Sequence, residues 1–223
     1  MATSDPAAGL GRVSGVTPDA RHPAAVRVSV DGRITWTITR AAAEALGLRA
    51  GVNVEEPLRL ALTAAADEEA AWRAALRHLE RRPFARADLA RRLRQHAHPA
   101  AAVEAALLRA DQAGLLDDAR FARSYAETRA ARGRGPDRLR RDLAAQGVAR
   151  AVIERVLDEL WPGGEGSEEM ARALARKRAA QLAGLPVPTR RRRVMAYLAR
   201  RGFSGGQARR VVGEVVGGGG QGG

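Results

Sequence analysis

Two short runs of alternating apolar and polar residues flank an Asp-Gly pair in the N-terminal part of the chain. The alternating apolar residues are Val26, Val28 and Val30 before Asp31-Gly32, and Ile34, Trp36 and Ile38 after it. Alternation on both sides of Asp-Gly predicts a β-hairpin. Thr39 is predicted to cap a short helix that ends at Gly47, and residues 51–56 are predicted to add a third strand. A hairpin alone is marginally stable, so this segment must pack on another element.

From residue 67 onward the apolar residues follow a helical period, and the pattern repeats. Residues 88–107 align without gaps on residues 138–157, and a third copy follows at a further offset of 55. Each copy is a helix, a tight turn and a second helix, and each is preceded by another helix. The matched apolar positions are Leu89, Leu139 and Val194; Leu93, Leu143 and Leu198; Val103, Ile153 and Ala208; and Leu107, Leu157 and Val212. This pattern predicts three stacked three-helix repeats.

The predicted fold class is therefore mainly α, with tandem three-helix repeats that follow a small N-terminal extension containing a β-hairpin. The predicted segments are a flexible leader (1–24), the hairpin and short-helix extension (25–66), three-helix repeats (67–114, 115–161 and 167–216), a solvated linker between the last two repeats (162–166), and a disordered glycine-rich tail (217–223). A solvated linker would let the third repeat move against the second.

Composition narrows the possible functions. The chain has no cysteine, which excludes disulfides and cysteine-based zinc sites. It has no apolar run near the roughly 18 residues of a membrane span. The formal net charge is +13, of which residues 167–223 carry +9, with eleven Arg and one Lys against three acidic residues. Such an excess predicts an anionic partner such as nucleic acid. We expect a soluble cytoplasmic protein without membrane association.

Two adjacent aspartates, Asp117 and Asp118, open a predicted helix and suggest either a Mg²⁺-binding pair or a helix cap. Capping is favoured, because Asp117 stands at the N-cap position and Asp118 lies in the first turn, where negative charge suits the helix dipole. No other acidic motif with ligand spacing accompanies them. His96 and His98 are two residues apart, which does not match the i, i+4 spacing of helical zinc sites. No metal, cofactor or catalytic residue is predicted.

The segment "GRGPDR" contains Gly133 and Gly135 but lacks the lysine of a P-loop and follows a helix rather than a strand. Gly135 and Pro136 are instead predicted to end one helix and begin the next. Acidic residues interleave with the arginines of this region. Interleaving favours a solvated face over a phosphate-contacting one.

The third repeat is different, because four consecutive arginines, Arg190 to Arg193, open its second helix. Positive charge at a helix start opposes the dipole, so this run predicts contact with external phosphate or with an acidic protein. The chain has eight aromatic residues, many at apolar positions, so nucleic acid would be bound mostly through its backbone. The candidate partner- or DNA-binding residues are Arg190, Arg191, Arg192, Arg193, Arg200, Arg201, Arg209, Arg210, Arg134, Arg138 and Arg141.

The stretch "GLLDDARFARSYAETRAARGRGPDRLRRDLAAQGV" resembles the signature of the RecX family, the bacterial regulators of the recombinase RecA. The matching residues are Asp117, Asp118, Phe121, Tyr125, Arg129, Gly133, Gly135, Leu143 and Gly147. The resemblance covers residues 67–216, although His96-Ala97-His98 replaces the usual glycine turn of the first repeat. It implies a curved, elongated array that binds along the groove of a RecA–single-stranded DNA filament. It also implies inhibition of strand exchange and of ATP hydrolysis by RecA, without enzyme activity of its own.

Two other functions stay open at this point. A helix, glycine turn and helix also outline a DNA-binding protein with a transcriptional or architectural role, but the second helix of the first repeat has almost no base-reading side chain. A metal-dependent nuclease built on the aspartate pair lacks a second acidic cluster. The expected partners are RecA, its filament on single-stranded DNA, and free single- or double-stranded DNA, and the expected state is a monomer. Filament capping and filament disassembly are both compatible with the sequence.

Overall fold

A three-stranded antiparallel sheet occupies the N-terminal region of the computed structural model, which describes residues 11–217. The strands, in spatial order, are β1 (Val13–Pro18), β2 (Ala25–Val30) and β3 (Arg33–Thr39). The predicted hairpin is confirmed as β2 and β3, with Asp31 and Gly32 both at positive φ in the turn. The Thr39 side chain accepts a hydrogen bond from the Ala42 N–H at 3.1 Å and caps the short helix that follows, as predicted.

The predicted flexible leader is wrong for residues 13–18, which form β1. A register shift between Val13 and Gly15 interrupts the pairing of β1 with β2, and for this reason the strand lacks the alternation that reveals its neighbours. The prediction of a third strand at residues 51–56 is also wrong. That segment contributes an isolated bridge between Asn53 and Arg12. Residues 1–10 of the predicted leader and residues 218–223 of the predicted tail lie outside the described residues, whereas Gly217 of the predicted tail is the last residue of a helix.

Helices make up most of the rest of the described chain. They are α1 (Arg40–Ala45), α2 (Glu56–Leu79), α3 (Arg86–Gln95), α4 (Ala100–Gln112), α5 (Asp118–Ala130), α6 (Pro136–Ala145), α7 (Arg150–Leu160), α8 (Glu165–Ala180), α9 (Val187–Arg201) and α10 (Gly205–Gly217). None of the helices among residues 11–217 is both long enough and apolar enough to cross a membrane. The chain divides into two compact units. Of the described residues, the N-terminal unit holds 11–83 and Leu89–Leu116, and the C-terminal unit holds Phe84–Asp88 and 117–217.

The apolar positions that define the repeats are all buried. Each of the twelve matched side chains is at most 4% exposed, so the repeat pattern read from the sequence corresponds to the repeated core. Two predicted limits are wrong. Helix α2 begins at Glu56, well before residue 67, because Pro57 suits a first helical turn. Helix α8 begins at Glu165, inside the predicted linker, after a short 3-10 turn at Pro162–Gly164.

Ala97 stands out in the turn between the second and third helices of the first repeat. Its φ is +61°, whereas the corresponding turns of the other repeats place Gly147 and Gly202 at +82° and +94°. A side chain is strained in this left-handed conformation. We expect Ala97→Gly to stabilise the N-terminal unit by about 0.5–1 kcal/mol, measured by denaturant unfolding. The exposed helical Ala101→Gly should instead destabilise by about 1 kcal/mol, and a loss of stability in both variants would contradict the expectation.

Candidate functional site: an arginine cleft

The adjacent aspartates cap two different helices. The Asp117 carboxylate accepts a hydrogen bond from the Arg120 N–H at 2.9 Å and forms the N-cap of α5, the position predicted from the sequence. The Asp118 carboxylate accepts one from the N–H of Arg86, the first residue of α3, at 2.8 Å. Both carboxylates therefore satisfy helix N-termini. Residues 11–217 contain no cluster of three or more His, Asp or Glu side chains arranged to hold a metal ion.

The segment around Gly135 joins the second repeat to the third, end to end. The Gly135 N–H donates to the Arg201 carbonyl at 2.7 Å, and the Asp137 N–H donates to the Gly202 carbonyl at 3.1 Å. The free N–H groups at the start of α6 thus satisfy the free carbonyls at the end of α9, and opposite ends of two helix dipoles meet. Asp137 also hydrogen-bonds to Ser204. These contacts replace the freely moving joint predicted from residues 162–166.

Glycine is required at this junction by close backbone approach. A Cβ on Gly135 would lie 2.6 Å from the Gly202 carbonyl oxygen, which is part of the backbone and cannot rotate away. Gly133 has a φ of +77° and faces Leu174 of α8. A similar close approach occurs in the turn between α6 and α7, where a Cβ on Gly147 would lie 2.4 Å from the Cβ of Ala87. The glycines of the signature therefore permit close packing between repeats.

The junction gathers six arginines around one concavity of about 450 Å³, which we call the arginine cleft. Its lining residues are Arg129, Arg132, Arg134, Arg138, Arg200 and Arg201. The last four are among the partner- or DNA-binding residues predicted from the sequence, whereas Arg129 and Arg132 are not. Arg129 belongs to the signature motif, and both omitted residues lie near Gly133 at the end of α5, which is the signal that would have found them.

Some of these arginines are held in place and others are free. Asp142 of α6 contacts Arg134 and Arg138, at 2.5 Å and 2.9 Å. The Arg201 guanidinium donates to the Arg132 carbonyl at 2.9 Å. The side chains of Arg132 and Arg200 are exposed and have no ion-pair partner among the described residues. The cleft thus contains positive charge that no acidic side chain of the described chain neutralises, and the contacts above hold some of its arginines in place.

Aromatic rings also support the cleft. The Arg129 guanidinium lies 5.3 Å from the ring centre of Tyr125, and the Arg201 guanidinium lies 5.3 Å from that of Tyr197. Phe121 and Leu143 are buried in the core of the second repeat, against which Tyr125 packs. The two tyrosines therefore carry arginines on their rings and are not open platforms for base stacking.

The remaining candidate arginines lie outside the cleft. Arg190 is half-buried and donates to the Val216 carbonyl at 3.4 Å, whereas Arg191, Arg192 and Arg193 are exposed at the start of α9. Arg210 pairs with Glu168 at 3.3 Å. Arg209 donates to the Gly205 carbonyl at 3.3 Å, and Arg141 is exposed on α6. These residues form no single site with the cleft.

Arg140 supports the prediction of a solvated, internally paired face on part of α6. Its guanidinium pairs with Glu154 of α7 at 2.8 Å and with Asp137 at 2.9 Å. The hydrogen bond to Glu154 raises the pKa of Arg140, and the reciprocal contact lowers the pKa of Glu154. Arg140 therefore acts within the repeat and is not available to a ligand.

A second cationic cluster lies in the N-terminal unit. Three histidines and two arginines line a cavity of about 250 Å³, together with Ala74; they are His78, His96, His98, Arg77 and Arg81. Burial, followed by the positive charge of Arg92, lowers the pKa of His78. Burial and His96 lower the pKa of His98, against a smaller opposing effect of Asp67. The folded unit therefore disfavours the charged form of both side chains.

This cluster predicts acid sensitivity. Below the unfolded value of 6.5 the unfolded chain binds more protons than the folded chain, so stability falls as the pH falls through that value. We expect the melting temperature of the N-terminal unit to decrease between about pH 7.5 and pH 5.5. Calorimetry on a His78→Gln/His98→Gln variant should show a flatter dependence. A wild-type melting temperature that rises on acidification would contradict this expectation.

Comparison with known proteins places these features in a family. Residues 117–157 match the description "RecX, second three-helix domain", and residues 167–212 match "RecX, third three-helix domain". Regulatory protein RecX of Thermobifida fusca is 40% identical over 142 residues, which cover 63% of this chain and 76% of that protein. The chain belongs to the RecX family. RecX of Halorhodospira halophila is 37% identical over 152 residues, which cover 66% of this chain and 88% of that protein.

The fold agrees with that of a solved RecX structure. A crystal structure of regulatory protein RecX superposes with a TM-score of 0.74 over 92% of this chain and 98% of that one, at 23% sequence identity. The arginine cleft lies within the matched RecX domains. Arg129 to Arg138 belong to the second three-helix domain, and Arg200 and Arg201 belong to the third. The cleft is thus built at the junction of two RecX domains.

Proposed function

We propose that this RecX-family chain is a negative regulator of the RecA recombinase. In this proposal it binds RecA filaments on single-stranded DNA and inhibits ATP hydrolysis and strand exchange, either by blocking filament extension or by promoting disassembly. The observation that carries the proposal is the arginine cleft, which combines side chains of two RecX domains into one cationic surface. We further propose that the chain acts in the cytoplasm, as a monomer, by binding and without catalysis.

The chemistry of the cleft supports a phosphate-bearing partner. Guanidinium groups present planar pairs of donors that match phosphate oxygens, and arginine is weakly hydrated compared with lysine. Every charged residue that lines the cleft is an arginine. Because Tyr125 and Tyr197 already carry arginines, contact through the DNA backbone is favoured over base reading. Such contact suits a filament in which the sequence of the DNA varies.

The exposed arginines at the start of α9 are proposed as a second contact. Arg191, Arg192 and Arg193 are exposed and have no ion-pair partner among the described residues. They are the fifth to seventh residues of α9, so their charge is available to an anionic partner. Two separated cationic surfaces on one chain would also let several weak contacts act together along a filament.

The test is DNA-dependent ATP hydrolysis by cognate RecA filaments that have been preformed on single-stranded DNA, with this protein added at substoichiometric amounts. The expected result is a decrease in hydrolysis. Electron microscopy then separates the two mechanisms, because disassembly shortens preformed filaments whereas capping only stops their growth. Unchanged hydrolysis, together with tight binding to bare DNA, would refute the proposal and favour a transcriptional or architectural DNA-binding protein.

A further inference from the structure

One carboxylate, that of Asp142, contacts two of the arginines that line the arginine cleft. Asp142 is on α6, and its side chain is only 14% exposed. Its Oδ2 lies 2.5 Å from the Nη1 of Arg134, and its Oδ1 lies 2.9 Å from the Nε of Arg138. The Tyr125 hydroxyl donates to the same carboxylate at 3.4 Å. These three contacts come from α5, from the turn that precedes α6 and from α6 itself.

The contacts leave most of the arginine donors unused. A guanidinium has five N–H donors, and Asp142 engages one nitrogen of each arginine. Arg138 keeps both of its terminal nitrogens, and Arg134 keeps one terminal nitrogen and Nε. Long arginine side chains lose considerable rotamer freedom when a ligand immobilises them. A carboxylate that orders them beforehand reduces this loss at the moment of binding.

We propose that Asp142 is a positioning residue of the arginine cleft, which orients Arg134 and Arg138 for a bound phosphate. The proposal rests on the anion-binding role of the cleft proposed above. The positioning role predicts a change in the affinity of Asp142→Asn for a polyanion that is opposite to the change expected from net charge alone. Asp142→Asn makes the chain more positive by one charge, which alone would strengthen the binding of a polyanion. Loss of orientation would instead weaken the binding.

The experiment measures the affinity of the full-length protein for a fluorescein-labelled oligothymidylate over a range of salt concentrations. Asp142→Asn should bind about tenfold more weakly than wild type. The slope of log affinity against log salt should decrease by up to about 1.4, the value for two phosphate contacts on a single strand. A purely structural role would not change this slope in a protein that melts at the wild-type temperature.

Asp158→Asn on α7 is the matched control. Asp158 is exposed and has no ion-pair partner among the described residues, and its substitution makes the same change in charge. The affinity of Asp158→Asn for the oligonucleotide should equal or slightly exceed that of wild type. Asp142→Glu keeps the negative charge and should bind within about threefold of wild type. Binding by Asp142→Asn that equals or exceeds that of wild type would overturn the proposal.

A second variant keeps the proposal testable if Asp142→Asn does not fold. Arg134→Lys/Arg138→Lys preserves the charge but removes the planar groups that Asp142 orients, so it should also bind about tenfold more weakly. Unchanged binding by this variant, or no binding by wild type, would overturn the positioning role. RecA-dependent ATP hydrolysis, measured in parallel, separates this proposal from the regulatory one. A positive oligonucleotide result with unaltered hydrolysis refutes only the regulatory function.

Discussion

Replacing Gly135 with alanine should destabilise the C-terminal unit by about 1–3 kcal/mol and weaken polyanion binding. The added Cβ would lie 2.6 Å from the Gly202 carbonyl oxygen and 2.8 Å from the Cδ1 of Phe203. The start of α6 must then move away from the end of α9, and the hydrogen bonds from Gly135 and Asp137 to that helix end must lengthen. Denaturant unfolding measures the stability, and oligonucleotide binding measures the effect on the cleft.

Gly213→Ala provides a control with the same chemical change and the opposite expected sign. Gly213 lies inside α10, and a Cβ there would meet nothing within 4 Å. Alanine at a helix-compatible glycine position should stabilise the protein by about 0.4–1 kcal/mol. If Gly135→Ala were as stable as wild type, the end-to-end docking of α6 on α9 would not hold the two repeats together.

Removing two exposed arginines of the cleft should produce a large loss of binding. Arg132→Ala/Arg200→Ala deletes two exposed guanidiniums that have no ion-pair partner among the described residues, so no internal ion pair is broken. The affinity for single-stranded DNA should fall on the order of tenfold, and the salt slope should decrease by about 1.4. Inhibition of RecA should require correspondingly more protein. Fluorescence anisotropy at several salt concentrations measures both binding quantities.

Arg155→Ala/Arg176→Ala removes the same charge from exposed positions of α7 and α8 that lie outside the cleft. This control should bind within about twofold of wild type, because charges beyond a Debye length are largely screened. An equal loss of affinity in Arg132→Ala/Arg200→Ala and in Arg155→Ala/Arg176→Ala would mean that binding depends only on net charge. Arg191→Ala/Arg192→Ala tests the proposed second contact in the same assay, where a decreased salt slope would support it.

Local signals in the sequence were sufficient for most elements. The Asp31-Gly32 turn, the Thr39 cap and the start of α6 at Pro136 each depend on residues that are neighbours along the chain. The leader was mispredicted because β1 carries a register shift and lacks alternation. The linker was mispredicted because glycine and proline at 162–166 mark a tight 3-10 turn that leads directly into α8, and composition alone does not distinguish such a turn from a flexible joint.

Charge was the poorest guide to the candidate site. The densest run in the sequence, Arg190 to Arg193, does not open α9 as predicted, because the helix begins at Val187. The cleft is lined at the other end of that helix by Arg200 and Arg201. Asp142 appeared in the sequence as one of several interleaved acids that favour a solvated face. In the structure it is mostly buried and contacts two of the cleft arginines. An acidic neighbour therefore orders this cationic surface as well as lowering its net charge.

The sequence by itself determined the periodic and local features of this protein: the repeats, their buried positions, the helix caps and the hairpin turn. These features follow from apolar spacing and from backbone preferences over a few residues. Only the tertiary structure decided which arginines meet. Arg134 and Arg201 come together because the N–H groups at the start of α6 dock on the carbonyls at the end of α9. That contact joins residues far apart in sequence through backbone atoms, which every residue type shares, so no pattern of side chains encodes it.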